Sequence, residues 1–266
     1  MSGMLVATIW RVVLILSLAA PAMAEEPLRL TYRTYALGAH IADAEGTIGL
    51  GPWTYQLALT FRTTGVARLV FAGHHASSVY GTWQADRPSP LRYTSASVWR
   101  GEPRAILMDY DKGIPAIRQL LPPPEPKQEI VGAALRANSA DDALSALATL
   151  MRIVAHSGRC ESSIRTFDGR RAADITARTV GSEMLEADGR SSFGGMALRC
   201  DFVSRMLAGF RLDQADKTDY RPLHGSAWLA VVVPGRPAIP VRMTLETRWF
   251  GDVTSYLTGT DVSGRQ

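Results

Sequence analysis

From Trp53 to Phe61 the chain reads Trp-Thr-Tyr-Gln-Leu-Ala-Leu-Thr-Phe, which places Trp53, Tyr55, Leu57, Leu59 and Phe61 at every second position. Side chains along a strand alternate between two faces, so this period of two sets all five on one face. A helix would scatter them. Leu28 to Tyr35 repeats the pattern, and His40 to Ile48 follows it more weakly. Leu91 to Arg100, Arg104 to Tyr110, Glu161 to Phe167, Arg171 to Val180, Ser182 to Leu185 and Met196 to Met206 read as further strands. Gly225 to Val233, Ile239 to Trp249 and Gly251 to Thr258 form a closing group. Turn signals separate them: Gly38, Thr63-Thr-Gly65, Asp111-Lys-Gly113, Asp168-Gly169, Asp188-Gly189 and Pro234-Gly-Arg-Pro237. Short strands joined by such turns predict an antiparallel meander.

Two stretches are less regular. Ala67 to Ala72 reads as the start of a strand that continues through His74, His75, Ser77 and Ser78 to Tyr80. Ile114 to Glu129 carries Pro115, Pro122, Pro123, Pro124 and Pro126 and is expected to be a loop over one end of the sheet, because proline removes a donor and fixes φ. One helix is expected, Ser139 to Ala155. Ser139 would be its N-cap, Asp141 and Asp142 would suit the N-terminal dipole, and Gly158 would stop it. Leu144, Leu147, Met151 and Val154 recur on one helical face, widened by Leu150 and Ile153. The fold class expected is mainly β: an antiparallel curved sheet or half-open barrel with one covering α-helix, formed as a single domain by residues 25–266.

The first 24 residues read as a signal peptide. Arg11 is followed by an apolar run, Val12 to Ala20, and Pro21-Ala-Met-Ala24 puts small residues at −3 and −1 of a cleavage after Ala24. The run is shorter than the ~20 residues of a membrane span. No cysteine follows the cleavage site, so no lipid anchor is expected there, and the mature protein is expected to be periplasmic without a stable membrane anchor. The two cysteines, Cys160 and Cys200, are expected to pair in that oxidising compartment. The chain carries 29 basic and 25 acidic residues, a mild excess spread along its length. No basic cluster is interleaved with aromatics, so nucleic acid is not an expected partner.

Catalytic signatures are weak. His74 and His75 are adjacent and would point to opposite faces of a strand, which disfavours a shared metal. Asp109 and Asp111 would share a face and could do acid–base work, although Asp111-Lys-Gly113 is more simply a turn. Ser145 lacks the Gly-x-Ser-x-Gly elbow, Ser77-Ser78 beside His75 is too local for a triad, and no phosphate-binding or dinucleotide loop occurs. No cofactor, metal or catalytic residue is assigned. The large rings are either core or the lining of a ligand cavity, with Trp53, Tyr55, Phe61, Trp99 and Trp228 the cavity candidates.

The order of parts resembles a bacterial envelope family, domain of unknown function 3108. The resemblance rests on Leu30-Thr-Tyr32, Asp142-Ala-Leu-Ser145, Phe167-Asp-Gly-Arg-Arg171, Trp228-Leu229, Pro240-Val-Arg242 and Gly251. It implies a build similar to periplasmic lipoprotein carriers, a curved sheet around a helix, and no catalytic residues to transfer. Fold does not dictate function. The function expected is a non-enzymatic binding or carrier module whose partner is a lipid, a lipoprotein or another envelope protein. The alternatives are a periplasmic hydrolase with a site assembled only in the fold, and a structural envelope protein.

Overall fold

The structure is a computed structural model that describes residues 26–65, 67–70, 72–99, 101–133, 141–213, 220–247 and 251–262. The expected signal peptide lies outside the described residues. Strands β1 (Leu28–Ala36), β2 (Ala39–Leu50), β3 (Thr54–Thr63), β4 (Gly73–Gln84), β5 (Arg87–Trp99), β6 (Glu102–Asp111) and β7 (Ile114–Leu121) make an antiparallel meander. After the helix come β8 (Ser162–Phe167), β9 (Ala172–Leu185), β10 (Gly195–Ala208), β11 (Leu223–Ala230), β12 (Ile239–Thr247) and β13 (Gly251–Val262). The two meanders join where β1 pairs with β13, giving one 13-stranded sheet in the order β7-β6-β5-β4-β3-β2-β1-β13-β12-β11-β10-β9-β8. The sheet does not close, since β7 and β8 are its edges.

Helix α2 (Ala143–Ser157) packs against β8, β5, β3 and β4; a short α1 (Ala67–Val70) links β3 to β4. Alternation decides what reaches the core. Leu28, Leu30, Tyr32, Thr34 and Ala36 of β1 are buried, while Arg29, Thr31 and Arg33 between them are exposed. Leu30, Met108, Met151, Leu229 and Leu257 are among the most completely buried side chains. Each stabilises the fold by about 1.5–3 kcal/mol relative to an exposed position. Among the described residues no helix is long and apolar enough to cross a membrane.

The disulfide forms as expected between Cys160, just before β8, and Cys200 in β10, and spans β9. The Cys160 amide donates to Thr179 Oγ1 of β9 at 2.9 Å, so a hydrogen bond crosses the same strand.

Several local expectations are corrected. Ala67–Val70 is helical, not the start of a strand, and β4 begins at Gly73. Ile114–Leu121 is strand β7, not loop. Pro115 is tolerated there because β7 is an edge strand, where a missing N–H breaks no ladder; the irregular stretch begins at Pro122. Arg171–Val180 and Ser182–Leu185 are one strand, β9, because β10 pairs along all of it. The helix is shorter at its start. Asp142 is the N-cap, and Ser139 lies outside the described residues. Asp142 succeeds as cap because its Oδ1 accepts the amides of Leu144 and Ser145 at 3.0 and 2.9 Å. Gly158 ends the helix in the left-handed conformation, as expected.

Candidate functional site

Three places concentrate chemistry: a polar network beneath α2, the seam between the sheet edges, and a cleft at the α1 end of the sheet.

Under the helix, Ser145 Oγ donates to Asp142 Oδ2 at 2.6 Å and lies 2.8 Å from the Tyr55 hydroxyl. The serine has one proton, so Tyr55 is the donor to it, and the chain runs Tyr55 to Ser145 to Asp142. Asp142 and Ser145 are fully buried. Burial pushes the Asp142 carboxyl up against the opposing pull of these donors. Burial, then the neighbouring Asp142, lifts Asp141 to about 7. Burial also raises the phenols of Tyr55 and Tyr110, and lifts Tyr93 to about 12. The Tyr110 hydroxyl and Trp83 Nε1 are buried without a hydrogen-bond partner among the described residues. Asp141 also extends the sheet: its amide donates to the Arg165 carbonyl and its carbonyl accepts the Phe167 amide, a parallel bridge on the outer side of β8. A 420 Å³ cleft beside it is walled by Asp86, Arg87, Asp141, Thr149, Arg165 and Asp174, among others, and Arg165 and Asp174 pair through two hydrogen bonds. Cleft and network mix both charge signs. Ser145 acts as a buried cap partner that donates to the Asp142 carboxylate.

The seam holds the Phe167-Asp-Gly-Arg-Arg171 motif. Asp168 Oδ1 accepts the amides of Arg170 and Arg171 at 2.8 and 2.7 Å, which shapes the β8–β9 turn. Gly169, at φ +91°, lies against Ile106 and Leu120 from the other edge of the sheet. The Arg170 guanidinium donates to the carbonyls of Pro122 and Pro123, clasping the two edges. Beneath lies an apolar pocket of 90 Å³ bordered by Ile117, Leu120, Ile130, Val131 and Phe167.

The cleft at the α1 end is the most spacious of these, 680 Å³, and is lined by Arg62, Thr63, Thr64, Gly65, Arg68, Ala72, Gly73, His74, Val98 and Gly101. Among the described residues its ionisable lining is two arginines and a histidine; Arg62 and His74 also border an adjoining cleft of 230 Å³ that Asp43 and Glu45 line. Among the described residues, neither Arg62 nor Arg68 is in an ion pair. Asp43 is the cross-strand neighbour of Arg62, but its carboxylate meets His40 Nε2 at 2.9 Å. Thr64 Oγ1, on the cleft wall, is buried and has no hydrogen-bond partner among the described residues.

The four aromatic candidates whose side chains are described do not converge on one cavity. Trp53 is 77% exposed, because Gly51-Pro52-Trp53 forms the turn and inward alternation begins only at Tyr55. Tyr55 is packed into the core, its ring centre 4.7 Å from that of Trp83 with the planes tilted by 41°. Phe61 is half-buried, and the Trp99 side chain lies outside the described residues. Trp228 faces away from the helix. Its Nε1 donates to Glu183 at 2.6 Å, and the guanidiniums of Arg199 and Arg242 lie 5.2 and 5.3 Å from its ring. Two motif pieces, Trp228-Leu229 and Pro240-Val-Arg242, therefore meet in a structural ladder across β11 and β12.

The remaining candidates separate as follows. His74 and His75 do point to opposite faces; burial lowers the His75 pKa. Asp109 accepts from Arg92 of β5 at 2.7 Å and Arg118 of β7 at 3.1 Å, and the Arg92 hydrogen bond leads in holding it below the usual carboxylate range. It is an ionised clamp between strands, with Asp111 exposed at the strand end. The cleft at α1 was missed in the sequence because its arginines come from β3 and from a segment read as strand.

Among solved structures, the chain is similar to a β-barrel-like protein of domain of unknown function DUF1849 from Brucella abortus. The TM-score is 0.51 at 13% identity, covering 90% of this chain and 99% of that one. That likeness shows the fold alone. A Bacteroides fragilis protein with a YmcC-like fold aligns over 89% of this chain and 96% of its own, at TM-score 0.33 and 10% identity. No curated protein matches the chain. The family model described as Protein of unknown function (DUF3108) matches residues 29–258.

Proposed function

Since the chain belongs to the DUF3108 family, whose description assigns no activity, we propose from the geometry that it is a non-enzymatic binding module of the cell envelope whose ligand carries an anionic group. The observation that carries this is the cleft at α1, where Arg62, Arg68 and His74 face 680 Å³ of space that no carboxylate of the described residues lines; Asp43 and Glu45 stand on the far side of Arg62 and His74, in the adjoining cleft. That volume falls within the roughly 300–1,000 Å³ typical of ligand sites. The 90 Å³ seam pocket falls well below it, and α2 covers β3, β4, β5 and β8, so a purely apolar ligand has the weaker claim. The Thr64 hydroxyl, without a hydrogen-bond partner among the described residues, supports the reading, since a buried polar atom gains a partner when an oxyanion binds. The disulfide supports an oxidising destination.

The test is calorimetric titration with glycerol phosphate as a soluble anionic probe. Saturable binding is expected, weakened tenfold or more in the Arg62→Glu, Arg68→Glu double variant, whose altered side chains are both exposed. Equal heats from wild type and double variant would refute it.

A further inference from the structure

The β1–β2 turn stands at the same end of the sheet as this cleft. Its two central residues, Leu37 and Gly38, have φ of 48° and 82°, the signature of a type I′ turn. Asparagine or glycine suits the first of these positions, because left-handed backbone crowds a Cβ. A leucine there serves neither turn nor core, being 82% exposed. The other non-glycine residues with positive φ among those described, Ala85 and Lys112, are a small side chain and a charged one. The turn is tied to the cleft. The Thr64 amide donates to the Ile41 carbonyl at 2.9 Å, and Gly65 sits against the His40 carbonyl, so the cleft wall is built onto the first residues of β2. An apolar side chain thus projects from the end of the molecule that also presents Arg62, Arg68 and His74 around an open cleft.

We propose that this end of the sheet docks on an anionic phospholipid surface, the cleft taking a lipid phosphate headgroup and Leu37 entering the interfacial apolar layer beside it. Two weak terms act together at such a surface: the attraction of basic side chains to anionic lipid, and burial of apolar area at the acyl boundary. Neither suffices alone, so binding is peripheral and reversible and weakens with salt. The proposal rests on the anionic-ligand reading of the cleft and deepens it by naming the source of the phosphate. A soluble phosphate ester offers the same headgroup chemistry without a surface, and the experiment separates the two.

The full-length mature protein is co-sedimented with vesicles of phosphatidylcholine alone and with vesicles containing phosphatidylglycerol, and titrated in parallel with glycerol phosphate. Wild type is expected to sediment with the anionic vesicles only. Leu37→Asn suits the turn and leaves the fold intact, so it is expected to weaken vesicle binding roughly fivefold or more while leaving glycerol phosphate binding unchanged. Arg62→Glu with Arg68→Glu is expected to lose both. If wild type binds glycerol phosphate but ignores anionic vesicles, or if Leu37→Asn sediments like wild type, the membrane proposal is overturned and the cleft reading stands. If wild type binds neither probe, both are overturned.

Discussion

Replacing Asp141 by asparagine should stabilise the protein, and increasingly so as pH rises. Asp141 titrates near 7 in the folded state against an ordinary value of 3.8, because it is desolvated and sits beside Asp142. A raised carboxyl pKa means the folded chain holds its proton more tightly than the unfolded chain. The sign follows: this group costs nothing below about pH 4, where both states are protonated, and destabilises progressively up to about pH 7. Above pH 7 the cost levels off. Three pH units at about 1.4 kcal/mol each set a ceiling of about 4 kcal/mol, and partial solvent access along the adjoining cleft reduces it. Asparagine keeps the shape and the backbone bridge to β8 but cannot ionise. Urea unfolding of wild type and Asp141→Asn between pH 4 and 8.5, with the disulfide intact, measures the difference directly. The two proteins should be close at pH 4, with the variant ahead by 1 kcal/mol or more, up to about 4 kcal/mol, at pH 8. A difference that is flat with pH, or that favours wild type at pH 8, would show that Asp141 is solvated and that the network beneath α2 is not as described.

Ser145→Ala removes the link between Tyr55 and Asp142 and leaves the Tyr55 hydroxyl and Asp142 Oδ2 without that partner, at a cost of about 2 kcal/mol in chemical denaturation. Gly209 has φ +90°, and an added Cβ would meet the Arg170 carbonyl oxygen and Arg171 Cα, the latter at 2.8 Å. Gly209→Ala should therefore lower the melting temperature by several degrees, whereas Gly235→Ala, with nothing nearby, should lower it less. Replacing Cys160 and Cys200 together by serine frees a loop closed over 40 residues and should lose about 2–4 kcal/mol, read from the midpoint of urea unfolding.

How much of this was legible depends on the range of the interaction. Alternation is local, and β1, β3, β6 and the hairpin at Asp168-Gly169 follow it closely. Trp53 was misplaced because alternation alone does not say where a turn ends and a strand begins. Pro115 argued for loop because nothing in the sequence marks β7 as an edge, one of the positions where a strand tolerates proline. The N-cap was set by a contact three residues long, Asp142 to Ser145, that is visible in Asp142-Ala-Leu-Ser145 yet was outweighed by the familiar preference for serine at that position. The site was the least legible part. Arg62 and His74 are 12 positions apart and Gly101 is further still; only the pairing of β3, β4 and β5 brings them to one rim. The aromatic residues promised a cavity from abundance alone, whereas Tyr55 goes to the packed core, Trp53 to a turn and Trp228 to a cross-strand ladder.

The central claim is that the cleft at α1 receives an anion, and amide-resolved NMR titration with glycerol phosphate tests it most directly. The account predicts saturating shifts confined to the rim of the cleft, at Thr63, Thr64, Gly65, Gly73, His74 and Gly101, and absent in the Arg62→Glu, Arg68→Glu protein. Shifts centred instead on the cleft at Asp141 and Arg165, or none anywhere, would contradict it.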